Sequence, residues 1–174
     1  TVREKMIRLE GLKLCFIGAG NNMANSLIVG GLKCGMDVSV ACPAGYEPDR
    51  RVLEFAKTAT DRRFVLTADP REAVEQADVL ITDVWASMGE EEEAEQRRQV
   101  FKGFQINREL MALANPGAMV QHCLPAHRGE EITAEVQARI RMLAPGGGYI
   151  LAPDTLIPVP PANYRAYLDT GERF

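Results

Sequence analysis

The stretch LKLCFIGAGNNMANS (residues 12–26) decides the fold. Residues 12–17 form a nearly continuous apolar run, the pattern of a strand covered on both faces. Gly18 and Gly20 then make a tight turn, and residues 21–34 continue at helical spacing. The same unit recurs downstream. DVSVA (37–41), RFVLT (63–67), DVLIT (78–82) and AMVQH (118–122) read as further buried strands, with helical patterns near 47–59, 70–76, 90–101 and 107–114. Strand–helix alternation joined by short loops predicts an α/β fold: a doubly wound parallel sheet, a single domain, Rossmann-like.

Composition fits that fold and removes several function classes. The chain has 174 residues, 46% hydrophobic and 25% charged, enough to bury one core. A net charge of −4 supplies no basic field for a nucleic-acid backbone. No apolar run nears the ~20 residues that cross a bilayer, so no membrane partner is expected, and no secretory signal pattern opens the chain. The opening residues TVREKMIRLEG read as the middle of a longer chain. None of the four cysteines forms a C-x-x-C pair. Cys15, Cys34 and Cys42 read as buried free thiols of a reducing, cytoplasmic setting.

In a doubly wound sheet, ligands sit beyond the carboxyl ends of the strands. The distinctive polar residues of this chain fall at those ends. They lie in GAGNNMANS (18–26), CPAGYEPD (42–49), DVWASMGEEEE (83–93) and CLPAHRGEE (123–131), all expected on one rim. The run EEEEAEQRR (90–98) reads as a solvated helix face that pairs with itself, Glu93 with Arg97 and Glu95 with Arg98.

Each rim stretch admits competing readings. GAGNNMANS begins like a dinucleotide fingerprint, but the position that needs a small residue is Met23. The second strand ends in VACP, without an acidic residue for a ribose hydroxyl, so a nicotinamide cofactor is disfavoured and no cofactor is expected. What remains is a helix N-terminus with Asn21 and Asn22, able to receive a carboxylate or simply to cap the helix. Asp83 can hold an ammonium group or act as a turn residue. Ser87 and the N–H groups of its turn can take a carboxylate, while Trp85, the one tryptophan, packs. In HCLPAHRGEE (122–131), His122 and Cys123 are adjacent at a strand end and point apart, which disfavours a catalytic dyad. A metal site lacks a ligand pattern beyond Cys123, His122 and His127, so none is expected. Leu124-Pro125 is an X-Pro step open to a cis peptide. The favoured picture is a shelf of thiol and carbonyl groups facing a ligand amine, with His122 a donor to a developing oxyanion.

Taken together, these three stretches resemble the C-terminal, ornithine-binding domain of the ornithine carbamoyltransferases. GAGNNMANS is similar to the family's G-D-G-N-N-x-x-x-S turn, with Ala19 where aspartate is usual. DVWASMGEEEE is similar to its D-x-W-x-S-M-G-x-E segment and HCLPAHRGEE to its H-C-L-P segment, and GYEPD and VLEFAK also fit. The resemblance covers roughly residues 1–136. It implies that Asn22, Asp83, Ser87 and Met88 hold the amino-acid end of ornithine, and that Cys123 and Leu124 line the path of the δ-amine. It also implies that His122 lies near the carbamoyl oxygen, making Asp83, His122 and Cys123 the catalytic group. The implied reaction is attack of the neutral amine on carbamoyl phosphate, giving citrulline and phosphate with no metal or cofactor, as in arginine biosynthesis and the urea cycle. The resemblance also implies a trimeric family, assembled largely through a domain whose motifs this sequence does not carry, which leaves a homo-oligomer open for this chain.

The family's S-T-R-T phosphate loop, H-P-x-Q segment and late E-x-x-N-R segment do not occur in this sequence. From about 137 to 174 the chain resembles instead the C-terminal end of the uroporphyrinogen decarboxylase family, through LAPGGGYIL and a P-x-x-N pattern. Across the junction Ile132, Val136, Ile140 and Leu143 make one apolar helical stripe, and residues 149–152 suggest an additional strand before a short helix. The expectation is therefore a binding domain (1–136) with an unrelated, atypical strand–helix tail (137–174). The competing functional class is an amino-acid-binding module, or an inactive fusion fragment, with the same pocket and no turnover.

Overall fold

The computed structural model describes residues 2–59, 61–86, 93–123, 126–134 and 136. After a short helix α1 (Val2–Met6) the chain alternates as expected: β1 (Lys13–Ile17), α2 (Asn22–Lys33), β2 (Asp37–Ala41), α3 (Arg50–Thr58), β3 (Phe64–Thr67), α4 (Pro70–Val74) and β4 (Val79–Thr82). Then come α5 (Ala94–Phe101), a 3-10 turn at Lys102–Phe104, α6 (Arg108–Met111) and β5 (Met119–His122). All strand pairs are parallel and the order is β3-β2-β1-β4-β5. The chain starts at the central strand, steps outward twice, then crosses back to the other side of β1. Between β1 and β4 lies the switch point.

Local chemistry sets the boundaries. Asp49, Asp69 and Asn107 cap α3, α4 and α6 by accepting the N–H groups of Arg51, Arg71 and Leu110. Pro70 occupies the first helical position of α4, where its missing N–H costs nothing. These caps start α3 at residue 50 rather than 47 and α6 at 108 rather than 107.

Alternation along the strands builds two cores. Leu14, Phe16, Val38, Val40, Val79 and Ile81 face one side and pack with Ala24, Ile28 and Leu32 of α2 and Ala56 of α3. Cys15, Ile17, Ala41 and Leu80 face the other, with Ala73 and Val74 of α4, Phe101 of α5 and Leu110 of α6. Helices change faces where the strand order reverses, as right-handed crossovers require. On α2 the buried residues Ala24, Ile28, Gly31 and Leu32 form one stripe. Gly31 lies so close to the sheet that a β-carbon there would stand 2.7 Å from Val38 Cγ2.

Two expectations need correction. Cys34 is exposed rather than buried, because it caps the C-terminus of α2 just before Gly35 turns the chain away at φ +77°. Cys15 and Cys42 are buried as expected, and burial pushes their thiols up to about 12 and about 11. Arg97 is the second correction. Its pairing with Glu93 is present at 3.4 Å, but its side chain is only 12% exposed, so this part of the charge run is not solvated.

Ile132 and Val136 are buried in the second core, while Ile140, Leu143 and the expected tail lie outside the described residues. Among the described residues no helix is long and apolar enough to cross a membrane.

Candidate functional site

Strand register brings the rim residues level. Ile17 pairs with Thr82, and Thr82 with His122, so Gly18, Asp83 and Cys123 are the next positions on three adjacent strands. Thr82 Oγ1 donates to the Ile17 carbonyl at 2.7 Å and fixes the ends of β1 and β4 together. Beyond Gly18, Gly20 donates its N–H to the Tyr46 carbonyl at 2.7 Å. A β-carbon at Gly20 would stand 2.1 Å from Pro48 N, so the turn can press on the 46–48 loop only because residue 20 is glycine.

Asn21 caps α2, its Oδ1 accepting from the N–H groups of Met23 and Ala24 at 3.0 and 3.2 Å. Its Nδ2 donates to Asp83 Oδ2 at 2.9 Å. Asp83 is 8% exposed, and its Oδ1 accepts from the N–H of Val84 at 2.8 Å and from the Cys123 thiol at 2.7 Å. A carboxylate offers about four lone-pair positions. Among the described residues Asn21, Val84 and Cys123 donate to this carboxylate, an acceptor whose chemistry suits an amine or ammonium group.

The remaining expected residues distribute as follows. Asn22 is exposed at the first position of α2, one residue beyond the asparagine that reaches Asp83. Sequence reasoning had weighed both asparagines as caps. Which of two identical neighbours bends toward Asp83 depends on the cap geometry of α2, which composition does not show. His122 is buried, with Nε2 3.0 Å from Glu131 Oε1. Thus His122 and Cys123 turn to different partners, as their adjacency predicted. Ser87, Met88 and Leu124, with the Leu124-Pro125 peptide bond, lie outside the described residues. Trp85 is buried and stacks on Phe101, ring centroids 6.1 Å apart.

Glu131 was not singled out from the sequence. It is fully buried, accepts the His127 backbone N–H at 2.6 Å besides contacting His122, and has no partner for Oε2 among the described residues. With His127 and Glu130 it forms the one group of potential metal ligands found among those residues, their ligand atoms within 4.8 Å of one another. Arg98 Nε already holds Glu130 at 3.0 Å, and Glu131 is engaged by His122 and the His127 N–H.

Residues 10–143 match the family model described as the Asp/Orn binding domain of aspartate/ornithine carbamoyltransferase. An ornithine carbamoyltransferase of Thermococcus kodakarensis is 51% identical over 139 residues, 78% of this chain and 44% of that protein. The anabolic ornithine carbamoyltransferase of Pyrococcus furiosus is 50% identical over the same length. Among solved structures, an ornithine carbamoyltransferase from Pyrococcus furiosus superposes with a TM-score of 0.73 at 51% identity, covering 78% of this chain and 44% of its own. An anabolic one from Campylobacter jejuni gives 0.75 at 34% identity, covering 82% and 48%. The chain spans about half the length of the curated relatives it matches.

Proposed function

The chain belongs to the aspartate/ornithine carbamoyltransferase family, and from that membership we propose that it supplies the ornithine-binding half of an ornithine carbamoyltransferase. The observation that carries the reading is the Asn21–Asp83–Cys123 cluster at the switch point, a buried carboxylate turned by its neighbours at the strand ends. In this proposal Asp83 holds the ammonium end of ornithine, with Asn22, Ser87 and Met88 completing that end of the pocket. Cys123 and Leu124 line the approach of the δ-amine. His122 stands beside the carbamoyl oxygen.

The proposed reaction forms one bond and breaks one. The neutral δ-amine attacks the carbonyl carbon of carbamoyl phosphate, the carbon–nitrogen bond forms, the carbon–oxygen bond to phosphate breaks, and the amine proton passes to the departing phosphate, leaving citrulline. The protein's share is placement of the amine and stabilisation of developing charge. Carbamoyl phosphate would be held mainly by family segments not found in this sequence. Trimeric assembly and a cytoplasmic setting, which keeps the thiols reduced, belong to the same proposal.

The test is calorimetric titration of the chain with L-ornithine, with and without carbamoyl phosphate, followed by a citrulline assay. Binding with turnover supports the full proposal. Binding without turnover reduces the chain to an amino-acid-binding module. Absence of ornithine binding at millimolar concentration rejects both.

A further inference from the structure

We propose that Arg97 is a positioning residue for the amino-acid pocket, a single guanidinium that ties together the loops carrying Asn21 and Asp83. The proposal rests on the ornithine-binding reading. Arg97 Nη1 donates to the Trp85 carbonyl at 3.2 Å, two residues beyond Asp83. Its guanidinium also lies over the Tyr46 ring, 5.1 Å from the centroid. The Tyr46 carbonyl in turn accepts the Gly20 N–H at 2.7 Å, one residue before Asn21. The loops after β1, β2 and β4 therefore meet at one cation on α5.

The surroundings fix this cation in place. Phe101, one turn further along α5, meets Tyr46 edge-on with centroids 4.9 Å apart and stacks on Trp85. Arg97 is thus held between the Tyr46 ring and the Trp85 carbonyl, and both aromatic side chains rest on Phe101. Its ion pair with Glu93 is the weaker contact, because Glu93 is 63% exposed and water screens it. The charged hydrogen bond to the Trp85 carbonyl and the ring contact are better shielded.

A loop held in its binding geometry before the ligand arrives leaves less ordering for the ligand to accomplish. Freed from Arg97, the Trp85 backbone and Asp83, two residues before it, sample other positions. Apparent affinity then falls by the fraction of time the pocket is correctly formed.

Three variants of the full chain test this: Arg97→Gln, Arg97→Lys and Tyr46→Leu. Ornithine binding is read by calorimetry and Trp85, the one tryptophan, by acrylamide quenching. Arg97→Gln is expected to raise the ornithine Kd about fivefold or more and to increase Trp85 quenching, with an unchanged far-UV circular dichroism spectrum. Arg97→Lys keeps the charge but loses the planar fork, so it should restore most of the thermal stability and only part of the affinity. Tyr46→Leu keeps an apolar contact on Phe101 and removes the ring under the guanidinium. It should weaken binding in the same direction and stands in if Arg97→Gln does not fold. Folded variants that bind ornithine like the parent overturn the proposal. If the parent itself binds no ornithine, the functional reading falls. The clamp is then judged on Trp85 alone, and equal quenching in parent and variants overturns it as well.

Discussion

Asn21 joins a helix to a strand end: its Oδ1 accepts the first free N–H groups of α2 while its Nδ2 donates to Asp83 Oδ2 at 2.9 Å. One side chain therefore sets both where α2 begins and how the Asp83 carboxylate is turned. These two duties can be separated, because serine caps helices about as well as asparagine but has no amide to reach Asp83. Asn21→Ser should change unfolding free energy by no more than about 0.5 kcal/mol, while ornithine affinity falls about threefold to tenfold as Asp83 loses a fixed partner. Urea unfolding and calorimetry on the same preparation check both halves. Unaltered affinity in a normally stable Asn21→Ser would show that Asn21 serves the helix alone.

Asp83→Asn keeps the shape of the side chain and removes its charge. If Asp83 holds the ligand ammonium, ornithine binding should weaken by about 1.5–3 kcal/mol, the scale of a hydrogen bond to a charged group. The new amide also brings N–H donors to a place where Asn21 Nδ2 and the Cys123 thiol already donate. Part of the loss should therefore come from that clash of donors. The Asn21→Ser/Asp83→Asn double variant should consequently show less than the summed loss. Parent-like affinity in Asp83→Asn removes the carboxylate from the pocket.

Much of this architecture is legible in the sequence. Strand DVSVA was read at its observed bounds, Asp37–Ala41, because a short apolar run between turn residues leaves few alternatives. Asp83 and Cys123 fall on one rim from the parallel-sheet pattern alone, since each immediately follows a buried strand. Three features escaped, each for a physical reason. Asn21 rather than Asn22 reaches Asp83 because the cap residue, unlike the next one, still has non-helical backbone angles. Glu131 looks like one more charge in a polar segment, and only the fold inserts it beneath His122. Arg97 reads as surface from its neighbours, yet the ring that shields it belongs to Tyr46 on another loop.

The cysteines should differ sharply in reactivity. The thiolate is the reactive form, and burial raises Cys15 to about 12 and Cys42 to about 11. At pH 8 roughly one Cys15 thiol in ten thousand and roughly one Cys42 thiol in a thousand is ionised, and both are also shielded from reagent. Cys34 is exposed. Ellman's reagent should therefore modify Cys34 rapidly in the folded chain, with Cys15 and Cys42 reacting only when urea unfolds it. Mass-spectrometric mapping of early adducts decides the matter. Modification of Cys15 at the rate of Cys34 in folded protein would contradict the buried first strand.

Gly30 and Gly31 are neighbours on α2, yet alanine should act on them with opposite sign. Both substitutions gain helix propensity, about 0.8–1.0 kcal/mol relative to glycine. At exposed Gly30 a β-carbon meets nothing within 4 Å, so Gly30→Ala should stabilise by most of that amount. At Gly31 the new carbon would stand 2.7 Å from Val38 Cγ2. Val38 is 1% exposed in the middle of a parallel sheet, and its branched side chain has few rotamers to escape into. Overpacking of this kind costs about 1–3 kcal/mol, which outweighs the propensity gain over most of that range. Gly31→Ala should be less stable than the parent, and Gly31→Ala with Val38→Ala should recover part of the helix gain while losing the buried methyl groups. Paired urea titrations read the difference directly. A Gly31→Ala chain as stable as Gly30→Ala would mean that α2 stands farther from β2 than the fold described here, and the turn that aims Asn21 at Asp83 would have to be redrawn with it.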